Sequence, residues 1–369
     1  MKKKYVYIDD DTLKKSQDKV EGFQSEFVNI FSQQHKGSWE LQLNYIQEIS
    51  QDIDGIILDL GLCDLPNEDL EHANFRGTSL AQEIRTRQKE GIIKSLPIIL
   101  FSGNDKLSLL LETTGLDLFD LCIDKESVND EVFDELSSKL YALAKGYCLI
   151  NNNVERNIEQ ILCVPIEDID NRLIVELNSL KKNPVHVIAS FIINELLNHQ
   201  GLLIDEQTLA ARLGVDKVKS EDWNLLLEQL QFAKYKGVFS EGWERWWMKS
   251  IEEWWEKEIS KKSLRTMGSS QRIMKIKENL NLTKLIPYNK VNGTDSDAFW
   301  TICQGYKKPI DTIDGLLIAG QENLYPWQEP KFVSIDAAVK RINIDSWKEV
   351  SGVEKEFLEE LRINYFKKE

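Results

Sequence analysis

The run Gly55-Ile56-Ile57-Leu58-Asp59-Leu60 decides how the first part of this 369-residue chain folds. Three large apolar residues in succession, opened by glycine and closed by aspartate, read as a strand covered on both faces, as at the centre of a parallel sheet. Downstream, Leu96-Pro97-Ile98-Ile99-Leu100-Phe101 repeats the pattern, and upstream Tyr5–Ile8 supplies a first strand. Between them the sequence alternates. A helix is predicted over about 12–34, with Leu13, Val20, Phe23, Phe27 and Phe31 at three- and four-residue steps, and a strand over 39–45 from the alternation of apolar and polar residues. Helices are predicted over 79–89 and 107–114, a fifth strand over 118–123 and a closing helix over 128–147. This alternation predicts an α/β, doubly wound, five-stranded parallel sheet with its ligand site at the carboxyl ends of the strands.

The residues at those ends carry chemistry. Strand one ends in Asp9-Asp10, strand three in Asp59, strand four in Ser102-Gly103 and strand five in Asp124-Lys125. Parallel strands bring these ends to one edge. Three carboxylates in one pocket repel unless a cation lies among them, and hard oxygen ligands suit Mg²⁺. A single such Asp would read as a turn or cap residue; five fitting residues in five fitting places point to a site.

Residues 1–148 resemble the receiver domain of response regulators in bacterial two-component signalling, on Asp9-Asp10, Asp59, Ser102 and Lys125. The resemblance implies that Asp59 is the phosphoacceptor, served by a histidine kinase or phosphotransfer partner. Mg²⁺ would be held by Asp9, Asp10, Asp59 and the backbone carbonyl of Gly61, while Ser102 and Lys125 would bind the phosphoryl oxygens. Three features depart from the family. The Cys63–Arg76 segment is a long acidic insertion, with Asp64, Glu68, Asp69 and Glu71. Cys122 stands where a switch aromatic is usual, and Glu126 replaces the proline that usually follows the lysine. An inactive pseudo-receiver acting as an adaptor is the alternative these departures leave open.

Charge divides the chain unevenly. Residues 1–149, read as the receiver-like domain, hold 16 basic and 27 acidic residues; residues 150–369 hold 30 and 34. The total of −15 excludes binding to nucleic acid by a general basic coat. Five scattered cysteines without metal-ligand spacing read as reduced thiols of a cytoplasmic protein, and neither a signal sequence nor a membrane span is expected.

Beyond the polar Asn151-Asn152-Asn153, residues 150–369 read as a mostly helical output region carrying nine of the ten tryptophans. Residues 184–247 resemble a winged helix: a proline-led helix, the Ala210…Gly214 turn, a second helix over 220–232 and a wing hairpin over 235–243. That second helix opens Ser220-Glu221-Asp222-Trp223, acidic where a DNA-reading helix meets phosphates, so docking to an effector protein is favoured over nucleic acid. Trp243, Trp246, Trp247, Trp254 and Trp255 are either core or interface anchors. Residues 257–290 carry nine Lys/Arg against two Glu, with Lys261, Lys262, Arg265 and Lys275 as candidate contacts. Asp311, Glu329 and Lys331 only faintly suggest a nuclease, because Pro330 disfavours a central strand.

The expected function is therefore that of a phosphorylation-responsive signalling protein acting through protein contacts. An unfamiliar output region of this kind would suit a stress or phage-defence system. The runner-up is a DNA-binding transcription regulator using the winged helix and the basic stretch.

Overall fold

Strands β1 (Lys3–Asp9), β2 (Val28–Gln34), β3 (Gly55–Leu58), β4 (Ile98–Ser102) and β5 (Leu121–Asp124) form one parallel sheet in the order β2-β1-β3-β4-β5. The structure is a computed structural model and describes residues 2–103, 118–129, 132–153 and 155–366. The helix expected over 107–114 lies outside the described residues. Contacts gather the chain into two units: residues 1–193 with 236–243, and residues 194–235 with 244–369.

Side chains alternate across the sheet, as the two-residue period of a strand requires. Val6, Ile8, Ile56, Leu58, Ile98 and Leu100 share a buried cluster with Leu43 and Ile46 of α2 (Trp39–Ile49) and with Leu80, Ala81 and Ile84 of α3 (Gly77–Lys89). Tyr5, Tyr7 and Phe101 serve the opposite face. There the Tyr5 hydroxyl donates to the Leu140 carbonyl in the helix Phe133–Asn152, and Phe23 meets Phe101 and Phe133 edge-on.

Two expectations are corrected. The predicted 12–34 helix ends early: α1 covers Leu13–Val20, a 3₁₀ turn follows at Glu21–Phe23, and β2 begins at Val28. β2 is an edge strand whose Ser32, Gln33 and Gln34 blur the strand pattern, while Phe23, Phe27 and Phe31 counterfeit a helical one. Residues 39–45 are the start of α2 rather than a strand. Ser38 caps that helix by accepting from the Leu41 N–H, and Leu41 itself, one of the residues that suggested strand alternation, is exposed.

The second unit is mostly helical, with short antiparallel pairs at Leu203–Ile204 with Trp246–Trp247, Thr301–Ile302 with Pro309–Ile310, and Gly315–Leu317 with Phe332–Ser334. The helices Glu206–Leu213 and Trp223–Gln229 lie where the winged-helix reading put them, with Gly214 left-handed (φ 77°) between them. The predicted wing is reduced to its stem: Lys234 bridges Trp246 in antiparallel fashion, and the Tyr235 N–H donates to the Arg245 carbonyl (2.8 Å). Residues 236–243 are turns, and they belong to the first unit.

Candidate functional site

β1, β3 and β5 end together, and what they present is an acidic pocket already half neutralised. One carboxylate oxygen from each of Asp9, Asp10 and Asp59 lies within 4.8 Å of the others, and all three residues are buried. Among the described residues no other group of three or more His, Cys, Asp or Glu side chains is placed to hold a metal.

Asp59 is held at both oxygens. Oδ1 pairs with the Lys125 ammonium, and Oδ2 accepts from the Gly61 N–H at 2.6 Å. Gly61 also accepts a long 3.4 Å bond from the Asp64 N–H at its carbonyl, the group expected to serve a metal. Lys125 reaches the pocket because its own N–H donates to the Ser102 carbonyl (2.9 Å), extending the β4–β5 pairing by one residue. Its ammonium lies over the rings of Phe101 (5.3 Å) and Tyr7 (5.8 Å), so the cation is confined by aromatic faces as well as by Asp59.

Asp9 is the most heavily bonded carboxylate. Oδ2 accepts from the Tyr7 hydroxyl (2.7 Å), the Ser16 hydroxyl (3.3 Å) and the Lys19 ammonium (2.7 Å), and Oδ1 accepts from the Asp10 N–H (2.9 Å). Burial alone would raise its pKa; the charges of Lys125 and Lys19 and the hydrogen bonds override this and hold it down at about 2. Asp10 moves the other way. Burial and the neighbouring charges of Asp9 and Asp59 raise its pKa, against one opposing hydrogen bond from the Leu65 N–H (2.8 Å).

Ser102 is fully buried, and among the described residues its Oγ has no hydrogen-bond partner. A buried hydroxyl left unpaired costs about 1–3 kcal/mol, which a phosphoryl oxygen at the strand ends would recover. The carboxylate trio, the Lys125 ammonium and this hydroxyl fit a divalent ion and a phosphoryl group together.

The Cys63–Arg76 insertion folds against the rim. Besides Leu65, its Glu68 N–H donates to Gln34 Oε1 (3.1 Å) and its Asn67 side chain donates to the His35 carbonyl (3.3 Å). Cys122 pairs in register with Leu100 and packs against the core, and burial pushes its thiol up to about 11.

The strand order 2-1-3-4-5 is one of the common doubly wound orders, in which ligands bind at the carboxyl ends of the strands. No protein-family model and no curated protein matches this sequence. Among solved structures, the chain is similar to RcsB from Salmonella enterica serovar Typhimurium bound to promoter rprA in the presence of the phosphomimetic BeF3-. That likeness has 16% identity and a TM-score of 0.27 over 52% of this chain and 87% of that one. It is also similar to the two-component response regulator RcsB in a DNA complex, at 16% identity and a TM-score of 0.23 over 51% and 93% of the two chains.

The other singled-out residues are spent on packing and local pairing. Trp243, Trp246, Trp247, Trp254 and Trp255 are between 1% and 9% exposed, so as interface anchors they lack the accessible surface; the last four and Trp243 fill the interiors of their respective units. In the basic stretch, Lys257 pairs with Glu258, Arg265 with Asp311, Lys275 with Glu278 and Lys284 with Glu221, and Arg272 is buried among carbonyls. Lys261 and Lys262 are exposed. Asp311 is taken by Ser296 and Arg265, and Glu329 by Arg212.

Sequence reasoning missed Lys19 and Tyr7 at the acidic pocket. Lys19 was legible in part: the tilt of helical side chains toward the N-terminus directs it from α1 back toward Asp9 and Asp11. It also missed Arg212 and Arg265, whose guanidinium groups stack on Trp300 at 4.2 and 4.6 Å beside a cavity of about 390 Å³.

Proposed function

We propose that the first unit is a phosphoryl-accepting receiver with Asp59 as the acceptor, and that the chain is a response-regulator-like signalling protein. The observation that carries the reading is the constellation around Asp59: one oxygen on Lys125, the other on the Gly61 N–H, two further carboxylates alongside, and a buried hydroxyl without a partner. Asp9, Asp10, Asp59 and the Gly61 carbonyl would hold Mg²⁺. Bound there, the ion supplies charge neutralisation to the incoming phosphoryl oxygens. An Asp59 oxygen forms a bond to phosphorus as the donor's bond to phosphorus breaks. Lys125 and Ser102 meet the oxygens of the transferred group, and no acid–base residue is required because positioning and charge carry such a transfer. The donor would be a phosphohistidine of a kinase or phosphotransfer protein.

Output through protein contact is favoured over DNA reading. Glu221 and Asp222 open the helix that would face phosphates, and Lys257, Arg265, Lys275 and Lys284 of the 257–290 stretch already have partners within their own unit.

Intact-mass measurement tests the central claim. With Mg²⁺ and acetyl phosphate the chain should gain one acid-labile phosphoryl group, and Asp59→Asn should not. An unmodified mass under conditions that label a control receiver would overturn the reading.

A further inference from the structure

The pocket carries a cation of its own that the phosphoryl chemistry does not use. Lys19 Nζ lies 2.7 Å from Asp9 Oδ2 and 2.9 Å from Asp11 Oδ2, and about a third of its side chain is exposed (31%) while the Asp9 side chain is 1% exposed. Lys125 neutralises Asp59 from one side, and Lys19 neutralises Asp9 from the other. Two ammonium groups therefore stand where a divalent ion would be needed.

The lone-pair count at Asp9 sharpens this. A carboxylate offers about four acceptor sites. Three donors already converge on Oδ2 and a fourth takes Oδ1, whereas Asp10 accepts from the Leu65 N–H. Oδ2 is thus fully taken while Oδ1 keeps one acceptor site, and of the donors on Oδ2, Lys19 is the one that is both charged and partly solvated.

We infer that Lys19 is a built-in counter-cation that competes with Mg²⁺ for the acidic pocket and so sets the ion concentration at which the site becomes competent. The inference rests on the receiver reading of the same site. Its physical basis is simple: an ammonium on a metal's own ligand repels the arriving ion. Asp11, outside the metal trio, gives the displaced Lys19 a second carboxylate to keep, so release from Asp9 does not strand the charge.

Calorimetric titration of the full chain with Mg²⁺ tests this without reference to activity. Lys19→Gln should bind Mg²⁺ more tightly by on the order of tenfold, the low end of what one neighbouring charge does to an ionisable group. Lys19→Arg, which keeps the charge, should stay near the wild-type affinity. A Lys19→Gln affinity equal to or weaker than wild type overturns the proposal, as does an equal gain in Lys19→Arg. Should Lys19→Gln be unstable without the ion, Mg²⁺ should raise its melting temperature more than it raises that of the wild type, and an equal or smaller rise counts against competition. Phosphoryl labelling of the same wild-type sample separates the two claims. Labelling without a Lys19 effect sinks only the counter-cation, whereas no Mg²⁺ binding and no labelling in any variant removes the receiver reading and this inference with it.

Discussion

His186 shows how a single residue's surroundings write a pH dependence into the fold. Burial, and then the charge of Arg85, lower its pKa from 6.5 to about 4, only partly opposed by Asp120. Arg85 is itself buried and fixed by an ion pair to Asp120 (2.7 Å), so the imidazole faces a permanent positive charge. The folded state therefore prefers neutral His186. Above pH 6.5 neither state binds the proton and the full stability is present. Between 6.5 and about 4 the unfolded chain takes up a proton that the folded chain refuses, so stability falls as pH falls. The side chain is partly solvated, which screens the effect below its ideal size. Urea midpoints from pH 7.5 to 4.5 should decline more steeply for wild type than for His186→Gln, and parallel curves would assign the decline to other groups.

At the scale of elements, the decisive feature is the junction between β3 and α3. Gly77 opens α3 directly beneath Asp59: a Cβ there would lie 2.2 Å from the Asp59 carbonyl oxygen and 3.2 Å from Leu60 Cα, while the Gly77 N–H donates to the Leu60 carbonyl. The insertion from Cys63 to Arg76 thus leaves and returns without moving the helix start away from the strand end. Gly77→Ala should cost about 1–3 kcal/mol, as overpacking does, and should slow phosphoryl labelling by displacing Asp59. Gly352→Ala, with open space around it, should do neither. A wild-type melting temperature and labelling rate in Gly77→Ala would show that this close approach does not constrain the site. The same elements explain what the sequence could reveal. Ile56–Leu58 and Ile98–Phe101 are continuous apolar runs because both sheet faces are covered, so their ends, and hence Asp59 and Ser102, could be placed. β2 at the edge could not, since its residues answer partly to solvent and its aromatic spacing mimicked a helix. The Lys19 contacts were only partly legible for a different reason: helical tilt gives the side chain's direction, but a lysine's reach is set by its rotamers and not by its spacing.

For the molecule as a whole, the first unit is discontinuous, closed by eight residues that arrive from far along the chain. Phe239 is the centre of that segment. It is 1% exposed, adopts a left-handed backbone (φ 69°) unusual for a bulky residue, and lies so close to Gly146 that a Cβ there would be 2.2 Å from its ring. Around it the Val238 N–H donates to the Ile161 carbonyl (2.8 Å), Glu241 pairs with Lys145, and Trp243 meets the Phe239 ring edge-on while Lys139 lies over the indole. Tolerance of that backbone conformation implies that the ring's burial outweighs it. Phe239→Ala should destabilise the first unit by about 3–5 kcal/mol, and hydrogen exchange should quicken across the helix Phe133–Asn152, where Gly146 lies. Gly146→Val should act through the same contact from the opposite side, so the double variant should lose less than the sum of the two single losses. Strict additivity, or unchanged protection of residues 133–152 in Phe239→Ala, would mean that residues 236–243 rest on the first unit without contributing to its cooperative stability.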